Sequence, residues 1–175
     1  VIAGAGSGKT RVLTYRIAHL MNLGKRPSSI LALTFTNKAA REMKYRIASL
    51  TDAELSNYLW MGTFHSIFAR ILRIEHEATG YPSDYTIYDT QDSRNLLKSI
   101  IKELKLDSNI YKPNEVQGRI SWAKNNLITP AGYENHEEIQ QQDNSRRKPF
   151  LGKIYRFYAK RCKQAGAMDF DDLLM

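Results

Sequence analysis

The chain has 175 residues, 42% of them apolar, and a net charge of +8. That is enough for one core domain with or without an insertion, and no apolar run approaches the roughly 20 residues of a membrane-spanning helix. The cationic excess favours a polyanionic partner over a membrane surface, and the lone cysteine, Cys162, excludes an internal disulfide and fits a reducing cytoplasm.

Val1-Ile2-Ala3 reads as the end of a strand. Strands usually run about five or six residues, and no initiator methionine precedes this one, so the sequence is expected to be a piece of a larger protein. Ala3-Gly4-Ala5-Gly6-Ser7-Gly8-Lys9-Thr10 follows as a phosphate-binding loop. Three glycines before a lysine let the backbone curl until successive N–H groups face one anion. Lys9 then reaches the β/γ-phosphates, and the Thr10 hydroxyl holds Mg²⁺. The strict pattern G-x-x-x-x-G-K-[ST] places glycine where Ala3 stands, but the Gly8-Lys9-Thr10 ending is intact. Val12, Leu13, Ile17, Leu20 and Met21 fall at helical spacing. They predict a helix to about Leu23, closed by Gly24 and Lys25-Arg26-Pro27. Strand, glycine loop and helix is the context this motif requires.

Ile30 to Phe35 has the pattern of a buried strand, and Lys38 to Leu50 that of a helix with Ala39, Met43 and Ile47 on one face. Leu59 to Thr63 reads as a third strand and Ser66 to about Ala78 as a third helix. Strands alternating with helices predict a parallel α/β sheet flanked by helices. Such sheets bind ligands at the carboxyl ends of their strands. The second strand ends Thr34-Phe35-Thr36-Asn37-Lys38, and the third ends Gly62-Thr63-Phe64-His65-Ser66. Two readings of these ends stand side by side. Rings that stack on bases, beside hydroxyls and amides that hold phosphates, suit single-stranded nucleic acid. Taken alone, a strand-end Phe more often belongs to a core, and Thr36 and Ser66 serve as helix caps. His65 has no second ligand at metal spacing.

Beyond about residue 80 the pattern becomes helical. Tyr85 to Tyr88 is a short strand. Helices are predicted over Gln91 to Leu104, Pro113 to Asn126 and Arg147 to Gln164, with the polar run Tyr133 to Asn144 a loop or an exposed helix. Asp89 follows the short strand and is one candidate Mg²⁺ ligand. A complete site of this kind needs an acidic residue at the end of a hydrophobic strand, which is expected beyond Met175. Met168-Asp169-Phe170-Asp171-Asp172-Leu173-Leu174 carries three carboxylates in four positions, read as the acidic first turn of a helix more readily than as a metal site.

Together these segments resemble the UvrD/Rep/PcrA family of superfamily 1 DNA helicases. Ala3 to Arg11 resembles the family's motif I, including alanine in first position. Leu33 to Ile47 resembles motif Ia, Gly62 to Leu72 motif Ib, and Met168 to Leu174 the return to the motor core after an inserted subdomain. The resemblance implies a RecA-like P-loop NTPase sheet over residues 1–88, an inserted all-helical subdomain over 89–165, and a return to the motor domain at 166–175. It implies an ATP- and Mg²⁺-dependent 3′-to-5′ translocase that unwinds DNA in replication and repair. ATP would lie on Ala3, Gly4, Ala5, Gly6, Ser7, Gly8, Lys9, Thr10 and Arg11. Lys9 would act on the terminal phosphates, Thr10 on the metal, and Arg11 on the adenine face. Single-stranded DNA and its junctions with duplex would meet Phe35, Thr36, Asn37, Lys38, Thr63, Phe64, His65 and Ser66. The family's glutamine motif, Walker B pair and second motor domain are absent from these 175 residues, so the piece alone is expected to bind nucleotide weakly without hydrolysing it. Other readings are a P-loop kinase, a helicase–nuclease subunit, and a basic binding module with a vestigial loop.

Overall fold

The structure, a computed structural model, describes Gly4 and residues 8–175; residues 1–3 and 5–7 lie outside the described residues. The expected first strand and Ala3, Ala5, Gly6 and Ser7 of the loop therefore fall outside it. The chain divides into two compact units, residues 1–70 and 71–175.

In the first unit, helix α1 (Lys9–Asn22) starts at Gly8, whose φ of 80° is left-handed. It ends on Gly24 (φ 78°), where Gly24 N–H donates to Met21 O and Lys25 N–H to Leu20 O. This paired closure is what a glycine just past a helix end provides. A 3-10 turn at Pro27–Ser29 leads into strand β1 (Leu31–Thr34). Helix α2 (Asn37–Ala48) follows, then the short α3 (Ala53–Ser56), strand β2 (Trp60–Thr63) and helix α4 (Phe64–Ile74), within which the unit ends. Strands β1 and β2 pair in parallel, from Leu31↔Trp60 to Thr34↔Thr63. The core gathers Ile17 of α1, Ala32 of β1, Met43 and Ile47 of α2, and Leu59. Met43 and Ile47 stand four residues apart on one face, as their spacing predicts. The predicted α1 face is corrected: Val12 is 59% exposed and Leu13 also faces water, while Thr14, Ile17 and Ala18 are buried.

The second unit holds α5 (His76–Thr79), β3 (Thr86–Tyr88), α6 (Thr90–Glu103), α7 (Pro113–Asn125), α8 (Pro130–Asn135), α9 (Glu137–Ser145), α10 (Leu151–Gln164) and β4 (Ala167–Asp169). Strands β3 and β4 pair in parallel, Thr86↔Ala167 to Tyr88↔Asp169. Leu97, Ile100, Val116, Ile120, Ala123, Ile139, Ile154 and four buried tyrosine rings form the core among the helices. The polar run at 133–144 is neither loop nor exposed helix throughout. It is helical in two pieces, with Tyr133, Ile139 and Asp143 buried. Tyr133 donates its hydroxyl to Asp143 Oδ2 at 2.5 Å, and Arg119 Nη2 stands 3.0 Å from Asp143 Oδ1. Cys162 is buried, and that burial pushes its thiol up to about 12.

The acidic segment at the end is strand β4 followed by turns, and it carries the reciprocal cap of a helix start, as its acidic pattern predicts: Asp169 Oδ1 accepts from Asp172 N–H and Asp172 Oδ2 accepts from Asp169 N–H, both at 3.0 Å. Lys124, 3% exposed, sits with its Nζ 2.7 Å from both Asp169 Oδ2 and Asp172 Oδ1. The Tyr158 hydroxyl lies 2.8 Å from the same Asp169 oxygen and 3.0 Å from Ser93 Oγ. Burial works against the ammonium's charge, but the two carboxylates outweigh it and raise its pKa. Burial also works against Asp169, yet Lys124 holds that carboxyl below its ordinary range. Asp172 goes the other way: burial, with the negative charge of Asp169 added, outweighs Lys124 and raises it.

Candidate nucleotide and single-strand site

The first turn of α1 has no acidic residue and no side-chain cap from Gly8. Its N–H groups therefore have no carboxylate competing for them, the condition for holding an anion at a helix start. Lys9 Nζ donates to Gly4 O at 2.9 Å. Thr10 is exposed, and its carbonyl accepts from Thr14 Oγ1 at 2.8 Å. The guanidinium carbon of Arg11 lies 5.7 Å from the centre of the Tyr15 ring. A cavity of about 660 Å³ opens beside these groups, bordered by Lys9, Thr10, Arg11 and Tyr15 from α1 and by Ala39, Glu42 and Arg46 from α2. Sequence reasoning missed Tyr15, Glu42 and Arg46. Glu42 and Arg46 lie inside the motif Ia segment, which the resemblance ties to the strand track and not to nucleotide; the local signals are Tyr15 four residues after Arg11 and the Glu42–Arg46 ion pair at the same spacing.

The parallel register of β1 and β2 brings both strand ends to one edge. Phe35 and Phe64 follow the last paired residues, and their ring centroids lie 5.7 Å apart at 42°. Phe35 is 89% exposed, so the core alternative fails for it; Phe64 is half-buried. Thr36 and Ser66 do act locally, as the capping alternative has it. Thr36 Oγ1 accepts from Ala39 N–H at 3.1 Å, starting α2. Thr63 Oγ1 accepts from Ser66 N–H at 3.3 Å, and Ser66 Oγ donates to Thr63 O at 2.9 Å. Gly62 permits this fold-back: a Cβ there would stand 2.6 Å from Ser66 Oγ. Asn37, Lys38 and His65 are exposed at the two helix starts. The structure thus brings Phe35, Thr36, Asn37 and Lys38 to the same edge as Thr63, Phe64, His65 and Ser66.

Among the described residues no three His, Cys, Asp or Glu side chains cluster as metal ligands. The described loop residues therefore offer a cation one hydroxyl, Thr10. That fits Mg²⁺ held chiefly by water and phosphates. Asp89, the other candidate ligand, is engaged elsewhere: Asp89 Oδ1 accepts from Asp92 N–H at 2.8 Å, and Asp92 Oδ2 accepts from Asp89 N–H at 3.2 Å, a reciprocal cap on α6.

A family model described as UvrD/REP helicase N-terminal domain matches residues 1–175, the whole chain. The chain belongs to the UvrD/REP helicase family. Among its curated relatives, an ATP-dependent DNA helicase PcrA of Leuconostoc citreum is 46% identical. Proteins of the same name from Staphylococcus epidermidis and Staphylococcus aureus are 42% and 40% identical. Each alignment takes in all of this chain but 23% of the relative. The chain thus spans about a quarter of the length of these UvrD/REP relatives. The described fold, helices with small parallel sheets, agrees with the α/β class expected of the family, and no helix among the described residues is long and apolar enough to cross a membrane.

Proposed function

We propose that this chain is the nucleotide- and strand-binding part of an ATP-dependent DNA helicase that moves 3′ to 5′ along one strand. The observation that carries the reading is the Phe35–Phe64 pair at the ends of two parallel strands, in the same compact unit as the Gly8–Lys9–Thr10 helix start. A motor needs both: phosphates that change state, and a polymer gripped by the same body.

In this reading Ala3, Gly4, Ala5, Gly6, Ser7 and Gly8 wrap the triphosphate with backbone N–H groups. Lys9 neutralises the terminal phosphates, Arg11 meets the adenine, and Thr10 contributes its hydroxyl to Mg²⁺. A metal held there would supply charge neutralisation to the terminal phosphates. Thr36, Asn37, Lys38, Thr63, His65 and Ser66 hold backbone phosphates while Phe35 and Phe64 stack on bases. Residues 1–88 begin a RecA-like sheet, 89–165 form an inserted helical subdomain, and 166–175 return to the motor domain. The parallel pairing of β3 with β4, which closes the helical block at its two ends, supports this division. The partners are single-stranded DNA, junctions with duplex, and repair or replication proteins, in the cytoplasm.

The test uses the full-length protein. ATP hydrolysis stimulated by oligo-dT, and displacement of a strand from a 3′-tailed duplex, are expected for the native protein and lost in Lys9→Ala. Hydrolysis that ignores single-stranded DNA would overturn the proposal.

A further inference from the structure

The net charge is not spread evenly. Residues 1–70 carry ten Lys and Arg against three Asp and Glu, while residues 71–175 carry sixteen against fifteen. Nearly all of the cationic excess therefore belongs to the first unit, whose three carboxylates are Glu42, Asp52 and Glu54. Glu42 is ion-paired with Arg46. Asp52 accepts the Glu54 and Leu55 N–H groups at the start of α3, on which Glu54 also lies.

The outer face of α2 is what remains. Met43 and Ile47 face the core. Lys38, Arg41 and Tyr45 recur at three- and four-residue spacing on the opposite side, and Lys44 flanks them. All four are exposed, Tyr45 by 77%. Lys38, Arg41 and Lys44 form no ion pair among the described residues. At 1.5 Å per residue the row runs about 10 Å along the helix, beginning where Phe35 stands. Its composition, free cations interleaved with an exposed ring, is that of a single-strand platform. The Tyr45 ring, beside these cations, offers an open π-face on which an unpaired base can stack.

We infer that the outer face of α2, through Arg41, Lys44 and Tyr45, is a further contact surface for single-stranded nucleic acid, continuous with the Phe35–Lys38 loop. The inference rests on the function proposed above and extends the strand's footprint beyond the two strand ends. Phosphates lie against Arg41 and Lys44, and one base stacks on Tyr45. A single strand fits better than duplex because only unpaired bases offer a free face to the ring.

The full-length protein would be titrated with fluorescent oligo-dT, and with blunt duplex of equal length, across a series of salt concentrations. Gln and Ala are good helix formers at these exposed positions, and unchanged circular dichroism would confirm the fold. Arg41→Gln/Lys44→Gln is expected to reduce the salt slope for oligo-dT by about 1.4, the loss of two phosphate contacts to a single strand. Tyr45→Ala is expected to weaken oligo-dT binding at least about fivefold with the slope unchanged. Both variants binding oligo-dT like the native protein, while Phe64→Ala binds it poorly, would overturn this inference and leave the proposed function standing. Equal losses on duplex and single strand with no effect of Tyr45→Ala would also overturn it, marking a general electrostatic surface. Native protein without affinity for oligo-dT would remove both readings.

Discussion

Phe35 and Phe64 meet because Thr34 and Thr63 are register partners: each ring stands one residue past its strand, and the centroids end 5.7 Å apart. The pair therefore lies at an edge that the sheet itself fixes. Phe64→Ala is expected to weaken oligo-dT binding by about 1–3 kcal/mol, the value of one base stack, with Mg·ATP affinity retained. Lys9→Ala is expected to do the reverse. Isothermal titration of both ligands against both variants checks it, and parallel losses in either variant would contradict the separation of the two sites.

Lys124 is the keystone of the second unit. It is buried between Asp169 and Asp172, and methionine in its place leaves two carboxylates in a dry site without a cation. Removing one partner of a buried ion pair costs about 3–5 kcal/mol, so Lys124→Met should lower the urea midpoint by that equivalent at constant slope. Adding Asp169→Asn and Asp172→Asn should restore much of the loss. A single variant as stable as the native protein would mean that the charges are solvated.

Alkali should unfold the second unit by way of its buried acids. Burial lifts Tyr155 and Cys162 to about 12, from ordinary values of 10.0 and 9.0, and Tyr81, with a lesser push from Asp172, also to about 12. A raised pKa means that the folded chain keeps protons which the unfolded chain has released. Stability is then complete below pH 9 and falls as the pH climbs toward 12. Lys124, also raised, adds to the loss above the ordinary lysine range. Thermal melts from pH 8 to 12 should show the decline, and Cys162→Ala and Tyr155→Phe should each make it shallower. A flat profile would refute the burial argument.

Asp89→Ala separates capping from metal binding. Loss of the cap on α6 should cost about 1 kcal/mol of stability. Because Asp89 and Asp92 satisfy each other's backbone N–H groups, Mg·ATP affinity should not move. A fall in that affinity with stability intact would reinstate Asp89 as a ligand.

The elements that could be read from the sequence are those whose signals are local. Thr36 capping α2, Met43 and Ile47 four residues apart, and Gly24 closing α1 are each set within one turn of helix. Other features depend on distant residues. Lys124 and Asp169 are 45 positions apart, and nothing in either neighbourhood names the other. The run 133–144 looked too polar to pack. Its burial rests on Tyr133 and Asp143 reaching each other and on Arg119 from α7. Helix α10 begins at Leu151, four residues after the Arg147 start that the sequence predicts. Pro149 disfavours helical geometry at Lys148, Arg147 turns left-handed at φ 57°, and Lys148 N–H folds back to Asp143 O. At the candidate site, glycine spacing marked Lys9 and Thr10, whereas Tyr15, Glu42 and Arg46 border the cavity only because α1 packs on α2.

The side-by-side pairing of Thr86–Tyr88 with Ala167–Asp169 gives the helical block a doorway only one strand spacing wide. Chain-closure entropy grows slowly with the length of what hangs between two such posts. Helices could be lengthened, trimmed or exchanged behind that doorway at small thermodynamic cost so long as the two jambs stay paired, leaving evolution a cartridge it can replace without rebuilding the frame.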